Sequence, residues 1–286
     1  MAFHIYLSMF CYDSFIFLLS LCITKTRHRQ PLMISKNTIK QIRSLELRKF
    51  RKQTGTFIAE GNKLVEDNLA SMKCHRLIAV SDWWKSHEHL RSLAEECIEV
   101  SREEMEKISL MQSPQEVLAT FYIPSDEQFD LSLLNNQLVL ALDSIQDPGN
   151  LGTIIRLCDW FGIHDIFCSQ TTADCFNPKV VQATMGAIAR VRIHYLDLQV
   201  FLKNASSKGI PVYGTFLEGE NIYTANLSSN GIIVMGNEGQ GISPEIEAIV
   251  SRKINIPSYP AESETSESLN VGIATAITVA EFRRRC

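Results

Sequence analysis

The second half of the chain alternates between short apolar runs and amphipathic stretches. Runs rich in β-branched residues predict six strands, at 138–142, 163–168, 189–194, 211–216, 232–235 and 253–256. Helical spacing of apolar residues occupies most of the intervals between them. This alternation indicates an α/β fold with a mostly parallel sheet and helices on both faces. Ligands of such sheets bind beyond the carboxyl ends of the strands, so the loops at those ends are the first candidates for a site.

The first half mixes helical and strand patterns on a smaller scale. Apolar residues at 35–53 have helical spacing, with Ser35 as the predicted N-cap and Gly55 as the stop. Short predicted strands and a helix follow, and then an acidic stretch that begins with proline, which is typical of a linker. We therefore predict a small α/β domain, a linker and a larger α/β domain, at 33–123, 124–136 and 137–286.

The first 32 residues form a separate extension. Residues 3–24 are strongly apolar and long enough to span a bilayer, with Asp13 as the only formal charge. The positive start of a secretory signal is missing, since no Lys or Arg precedes Lys25. If the segment inserts, the basic residues after it hold the following chain on the cytoplasmic side. We favour a working protein that begins at Met33, cytoplasmic and without stable membrane association, because the remaining chain reads as a complete soluble protein.

Composition and charge exclude several classes of protein. Of the 286 residues, 45% are hydrophobic and 21% charged, so disorder and a disulfide-stapled miniprotein are excluded. The net charge of −4 hides a basic block at 25–52, with ten Lys or Arg residues against the single acid Glu46. Such a block suits a polyanion, and a solvated helix face is the alternative. Its candidate RNA-binding residues are Lys40, Arg43, Arg48, Arg51 and Lys52.

The eight cysteines indicate neither a metal site nor a disulfide framework. They form no C-x-x-C pair, and the histidines are not spaced with them as zinc ligands are. Scattered cysteines among apolar neighbours are typical of small core residues in a reducing compartment. We therefore predict no metal.

Three loops carry the candidate chemistry. The first, DSIQDPGNLG at 143–152, has a Pro-Gly turn, with Asn150 as the predicted N-cap of a helix whose apolar stripe leaves Arg156 outside. The second, MGNEGQGIS at 235–243, has three glycines that permit close backbone approach, yet it matches neither G-x-G-x-x-G nor a P-loop. The third, IPSYPAESETSESLNV at 256–271, is a long polar loop leading into an alanine-rich helix. Each loop alone is more typical of a structural turn than of a site.

The three loops together, in this order, point to a family. The segments DSIQDPGNLGTIIR, IVMGNEGQGIS and NIP…SLNVGIATAITVAEFRRR resemble the SpoU (TrmH-like) RNA ribose 2′-O-methyltransferases of the SPOUT superfamily. The segment SKNTIKQIRSLELRKFRKQTGTFIAEGNKLVED resembles the substrate-binding domain, with a fold like that of a small ribosomal protein, that often precedes the catalytic domain. The resemblance covers about 33–285. It implies a C-terminal trefoil-knot domain, a homodimer, an RNA substrate and S-adenosylmethionine (SAM) as methyl donor.

The resemblance also implies roles for particular residues. Carried over by position, the residues that hold SAM, largely through backbone groups, are Gly236, Ile256 and Leu269. The catalytic set is Asn150, Arg156, Glu238, Ser268 and Asn270. In the family mechanism the arginine at this position, together with an RNA phosphate, deprotonates the ribose hydroxyl. Because arginine is a poor base, Arg156 has the alternative role of stabilising the forming alkoxide and anchoring phosphate.

The sequence departs from the family pattern at one place and leaves other functions open. The segment between Pro257 and Ser268 is a few residues longer than usual, and Ser258 stands where the family often has Met. The motifs on either side are intact, so we expect an active enzyme. Ribosomal RNA is favoured over transfer RNA by the two-domain layout. The alternatives are a non-catalytic RNA-binding or ribosome-assembly factor, a membrane-anchored protein and a base-modifying SPOUT enzyme.

Overall fold

The computed structural model describes residues 34–125, 129–260 and 268–285. The predictions for the N-terminal extension lie outside these residues, as does most of the longer segment in the third loop. The described chain from Ile34 onward contains two sheets and forms one compact unit. The predicted division at 124–136 stays a prediction, and Leu134 within that stretch is fully buried.

The first sheet has four strands in the order β1-β4-β2-β3. Strand β4 is antiparallel to both of its neighbours, and β3 is parallel to β2. The strands are β1 (Thr56–Glu60), β2 (Cys74–Val80), β3 (Ala94–Val100) and β4 (Val117–Tyr122). The helices of this part are α1 (Lys36–Ser44), α2 (Arg48–Thr54), α3 (Asn62–Leu69), α4 (Ser81–His87) and α5 (Arg102–Ile108).

The continuous helical pattern predicted at 35–53 is two helices in the structure. The predicted ends are confirmed: the Ser35 hydroxyl accepts from the N–H of Thr38 at 3.0 Å, and Gly55 ends α2 at a φ of 63°. The chain turns at 45–47, between the helices, and the buried guanidinium of Arg51 binds two carbonyl oxygens of that turn. The spacing of apolar residues does not predict such a contact between a side chain and the backbone of a turn.

The second sheet has six parallel strands in the order β10-β8-β9-β5-β6-β7. All six predicted strands are present: β5 (Leu138–Leu142), β6 (Asp165–Cys168), β7 (Arg192–Tyr195), β8 (Val212–Asn221), β9 (Gly231–Met235) and β10 (Arg252–Asn255). Strand β8 runs five residues beyond its predicted end because it continues along β10 past a register shift. The helices are α6 (Pro148–Trp160), α7 (Pro178–Thr184), α8 (Leu198–Ser207), α9 (Pro244–Glu247) and α10 (Val271–Arg284).

The main apolar core is continuous between the two sheets. The stripe predicted on α6 is confirmed, since its four apolar residues are fully buried and Arg156 is exposed; the four are Leu151, Ile154, Ile155 and Cys158. Trp83 and Trp84 are each only 2% exposed, so they pack in the core. Within the described ranges, no helix has both the length and the apolar content needed to cross a membrane.

Candidate active site

The first two loops follow the central strands β5 and β9 and are bonded to each other. Asp143, the residue after β5, is 5% exposed, and its Oδ2 accepts from the N–H of Ser243 at 2.8 Å. In the opposite direction, Asn237 Nδ2 donates to the carbonyl oxygen of Ser144 at 2.7 Å. The carboxyl ends of the two strands therefore carry one joined pair of loops, at the edge where parallel sheets bind ligands.

The glycine-rich loop is held closed by its own backbone. Asn237 and Gly241 exchange two hydrogen bonds of 2.9 Å, and Asn237 Oδ1 accepts from the N–H groups of Gly239 and Gln240. A Cβ on Gly236 would lie 2.2 Å from the carbonyl carbon of Gly241 and 2.3 Å from the Ile242 nitrogen. Because both neighbours are backbone atoms, glycine is required at this position.

The carboxylate of Glu238 reaches from the second loop to the first. Its Oε1 accepts from Asn150 Nδ2 at 3.1 Å and from the N–H of Asp147 at 3.2 Å, and its Oε2 accepts from the N–H of Gln146 at 3.3 Å. Burial acts to raise the pKa of Glu238, but the bonds from Asn150 and the backbone N–H groups outweigh it and hold the pKa below its usual value. Glu238 is therefore an anion at neutral pH, and its oxygens are occupied in holding the first loop.

The predicted capping role of Asn150 is wrong. The N-cap of α6 is Asp147, whose Oδ1 accepts from the backbone N–H of Asn150 at 2.8 Å, and Pro148 occupies the first helical turn. An aspartate before Pro is the better cap, since proline favours the first helical position. Asn150 thus lies in the first turn of α6, where its side chain turns toward the other two loops instead of its own helix.

Asn270 joins the third loop to the first. Its Oδ1 caps α10 by accepting from the N–H groups of Gly272 at 2.9 Å and Ile273 at 3.3 Å. Its Nδ2 donates to Asn150 Oδ1 at 2.9 Å. Glu238, Asn150 and Asn270 therefore form an unbroken hydrogen-bonded chain, one residue from each of the three sequence motifs. We call this the Glu238–Asn150–Asn270 chain.

The other predicted site residues lie around this chain. Arg156 is exposed on α6 and has no hydrogen bond or ion pair with the residues that the structure describes. It lies six residues after Asn150 on the same helix, which is about 9 Å along the helix axis. Ser268 and Leu269 are exposed just before Asn270, with Leu269 48% exposed. Ile256 follows β10 and is half-buried against the core. The structure thus joins three of the five predicted catalytic residues and leaves Arg156 apart.

Sequence reasoning missed three residues that position this site: Asp143, Asp147 and Asn237. All three lie within the first two loops, in which other residues were predicted to form the site. The available signals were the Asp-Pro pair at 147–148, typical of a helix start, and the Asn-x-Gly spacing at 237–239, typical of a side chain that bonds the backbone two residues on.

The prediction that Arg51 contacts RNA is wrong. Its side chain is 2% exposed, and its Nη2 lies 2.7 Å from Asp174 Oδ2. Its Nη1 donates to the carbonyl oxygens of Leu45 and Glu46, both at 2.7 Å. Arg51 fastens the turn between α1 and α2 to the segment after β6, and it is inaccessible to a phosphate.

The other four basic candidates reach the surface. Lys40 and Lys52 are exposed. Arg43 is exposed, with its Nη1 bonded to two carbonyl oxygens at the end of α5. Arg48 is 45% exposed, with its Nε 3.8 Å from Asp174. In the part of the chain that the structure describes, no group of three or more His, Cys, Asp or Glu side chains is arranged to hold a metal ion.

Comparisons with known proteins place this geometry in a family. Residues 137–280 match the SpoU rRNA Methylase family, and residues 36–119 match the MRM3-like substrate binding domain. The 23S rRNA (guanosine(2553)-2′-O)-methyltransferase RlmP of Bacillus subtilis is 30% identical over 246 residues, which are 86% of this chain and 95% of RlmP.

Two solved structures share the fold over nearly the whole described chain. A TrmH-family protein from Porphyromonas gingivalis is 39% identical with a TM-score of 0.78, covering 89% of this chain and 100% of its own. An AdoMet-bound rRNA methyltransferase from Sinorhizobium meliloti is 29% identical with a TM-score of 0.77, covering 89% and 98%. The chain belongs to the SpoU rRNA methylase family. The predicted family, the SPOUT fold class with its substrate-binding domain, and the methyltransferase class are confirmed.

Proposed function

We propose that this SAM-dependent methyltransferase methylates a ribose 2′-hydroxyl of ribosomal RNA. The observation that carries the proposal is the Glu238–Asn150–Asn270 chain, which assembles one polar residue from each family motif at the carboxyl ends of the central strands. Ribosomal rather than transfer RNA is supported by RlmP, which is named for a ribose of 23S rRNA and aligns with 86% of this chain.

The residues predicted to hold SAM fit an adenosyl group. Gly236 carries no side chain, Ile256 is half-buried, and Leu269 exposes about half of its side chain, so the loops offer backbone groups between apolar surfaces. Small-molecule sites are typically apolar with a few placed polar groups. When bound, SAM supplies an electrophilic methyl group, and the protein has to orient the hydroxyl and manage its proton.

The side chains divide this work between positioning and charge. Glu238 is a poor candidate for the base, because its lowered pKa and three accepted bonds favour its role as an anchor for Asn150. Asn150, Ser268 and Asn270 position the ribose in this proposal. Arg156, exposed and cationic, binds an RNA phosphate and stabilises the forming alkoxide.

A second copy of the chain is proposed to cover the apolar surface beside Arg156. Helices α6 and α10 pack against each other, and a Cβ on Gly272 would lie 3.3 Å from Thr153. At this pair of helices Trp160 is 84% exposed and Ile273 53% exposed. Trp160 at the end of α6 and Ile273 at the start of α10 are exposed apolar side chains that an interface would cover. We therefore propose a homodimer. A cytoplasmic location is proposed because the similar methyltransferases named above are bacterial proteins.

Methyl transfer to separate pools of unmodified ribosomal and transfer RNA tests the proposed activity. The full chain is incubated with labelled SAM, and the digested nucleosides are identified by mass spectrometry. The expected product is one 2′-O-methylnucleoside from ribosomal RNA. Asn150→Ala should lose at least about tenfold in kcat/KM because the ribose is mispositioned, whereas Asn204→Ala, an exposed asparagine on α8, should not. Label in transfer RNA alone or in a base would refute the proposal.

The basic helices are proposed to bind RNA phosphates through Lys40 and Lys52. Reversing both charges should weaken RNA binding and reduce the slope of log K against log salt by about 2, one for each phosphate contact. The matched control reverses Lys203 and Lys208, which are exposed on and just after α8. If both double variants weaken RNA binding equally, the effect is a non-specific one of net charge, and the proposed contacts of Lys40 and Lys52 are refuted.

A further inference from the structure

A groove of about 570 Å³ lies in the first half of the chain, outside the three loops. It is bounded by α1 and α2 on one side and by strands β1, β4 and β2 on the other. Its aromatic lining comes from Phe50, His75 and Tyr122. The volume is within the roughly 300–1,000 Å³ typical of small-molecule sites. The groove therefore has room for a nucleoside.

Two of the aromatic rings lie next to each other in the lining. The ring centroids of His75 and Tyr122 are 5.4 Å apart and the ring planes are inclined by 44°. The Tyr122 hydroxyl donates to Glu95 at 2.7 Å. Burial, with the charge of Arg76 acting in the same direction, lowers the pKa of His75. Its imidazole is therefore neutral at pH 7. Flat, uncharged or weakly polar rings of this kind are the surfaces on which unstacked bases are held.

An unsatisfied hydroxyl lies in the same groove. Thr120 is 1% exposed, and its Oγ1 is buried without a hydrogen-bond partner among the described residues. The neighbouring hydroxyl of Thr56 is bonded to Thr54 at 2.8 Å. Buried polar atoms in native proteins almost always have a partner, because an unpaired one loses its bonds to water without replacement. The Thr120 hydroxyl points to a ligand that supplies the missing bond.

The charge around the groove suits a nucleotide. Lys40 is exposed on its rim, and no acidic side chain is among its lining residues in the described chain. Arg76 also lines it, with its Nε 2.6 Å from Glu96 and its Nη1 3.3 Å from Gln41 Oε1. The amide of Gln41 is thereby fixed at the wall, where it is available to the edge of a base.

We infer that this groove binds an unstacked nucleoside from a single-stranded segment of the substrate RNA. The base stacks on Tyr122 beside the inclined His75 ring, its edge bonds the Thr120 hydroxyl, and the phosphate of the nucleotide lies at Lys40. The inference rests on the RNA substrate of the proposed function and adds a second contact point, separate from the reacting ribose. The groove thus selects substrates whose target region carries an unpaired nucleotide.

Binding of short oligoribonucleotides to the full chain tests the groove directly. Anisotropy is measured at one salt concentration for a 12-residue single strand and for the same sequence as a duplex. Tyr122→Leu should weaken binding of the single strand about fivefold or more, since stacking on an aromatic ring contributes on this order, while Tyr122→Phe should keep it. Duplex binding should not change.

The hydroxyl has a matched control. Thr120→Val should weaken single-strand binding about threefold or more at nearly constant shape. Thr278→Val removes the other buried threonine hydroxyl without a partner among the described residues, on α10 outside the groove, and should change nothing. In the wild-type chain, which needs no variant to fold, an oligonucleotide with 5-iodouridine should crosslink to His75 or Tyr122. Crosslinks elsewhere, or Tyr122→Leu and Thr120→Val that bind like the wild type, would overturn the inference.

Kinetics separate failure of the groove from failure of the proposed function. With ribosomal RNA as substrate, the groove variants should raise KM for RNA and leave kcat at saturating RNA unchanged. Unchanged KM in an active enzyme overturns the groove and leaves the proposed function intact. A wild-type chain that crosslinks through the groove yet methylates no RNA refutes the proposed function and leaves the groove supported.

Discussion

Asn270 has two structural duties, and two substitutions separate them. Its Oδ1 caps α10, and its Nδ2 bonds Asn150. Asn270→Ala removes both: the cap contributes about 1 kcal/mol and the exposed amide bond about 0.5–1 kcal/mol, so the free energy of unfolding should fall by about 1.5–2 kcal/mol. Asn270→Ser keeps an oxygen that caps, so its loss should be about half as large.

Activity should follow the bond to Asn150 and not the cap. Both Asn270 variants lose the donor that fixes Asn150, so kcat/KM should fall about 10- to 100-fold in each. Asn177→Ala is the matched control, because Asn177 caps α7 by accepting from the N–H of Lys179 at 2.9 Å and has no part in the three-loop site. It should cost about 1 kcal/mol of stability without loss of methyl transfer.

Urea unfolding and methyl transfer on the same preparations measure the two effects. The reasoning fails if Asn270→Ser is as active as the wild type. It also fails if Asn177→Ala loses as much activity as Asn270→Ala, since activity would then follow helix stability alone.

Three further predictions concern stability and cofactor binding. Arg51→Met should lower the free energy of unfolding in urea by about 3–5 kcal/mol, because it removes the buried ion-pair partner of Asp174. Arg48→Met removes the exposed partner, 3.8 Å from Asp174, and should cost under about 1 kcal/mol. Similar costs for the two variants would contradict the burial argument. Gly236→Ala should destabilise the chain by about 1–3 kcal/mol and weaken SAM binding in calorimetry, since its Cβ meets backbone 2.2 Å away; wild-type affinity would contradict this. Glu238→Gln should lower the free energy of unfolding by its full amount above about pH 4.5. The difference from the wild type should shrink as the pH falls through the lowered pKa of folded Glu238, because protonation removes the bonds that the carboxylate accepts. A difference that grows in acid would contradict this prediction.

The sequence predicted the central strands of the second sheet because β5, β6 and β9 are buried along their whole length. The run at 138–142 is fully buried as the central strand β5, and the stripe behind Asn150 faces the core. Periodicity reports burial, so these elements follow from local pattern alone. The family motifs supplied the order of the loops, which periodicity could not.

The details that failed depend on partners far away in the chain. Arg51 lies in a basic segment that is typical of RNA-binding surfaces. Its side chain is instead bonded to Asp174, 123 positions later in the chain. The sequence of the first loop favours Asn150 as a helix cap. In the structure the Asn150 side chain is hydrogen-bonded to Glu238 and Asn270, which lie in the other two loops. The groove at Thr120 brings together two helices and three strands, a juxtaposition that no single segment encodes.

The most direct test of the central claim is methyl transfer to an RNA that lacks one oxygen. Once the modified nucleotide has been mapped, a ribosomal RNA fragment is prepared with a 2′-deoxyribose at that position alone. We expect the fragment to bind with unchanged affinity and to accept no methyl group, while the all-ribose fragment yields the 2′-O-methylnucleoside. Transfer to the deoxy fragment would place the methyl on a base and contradict the account.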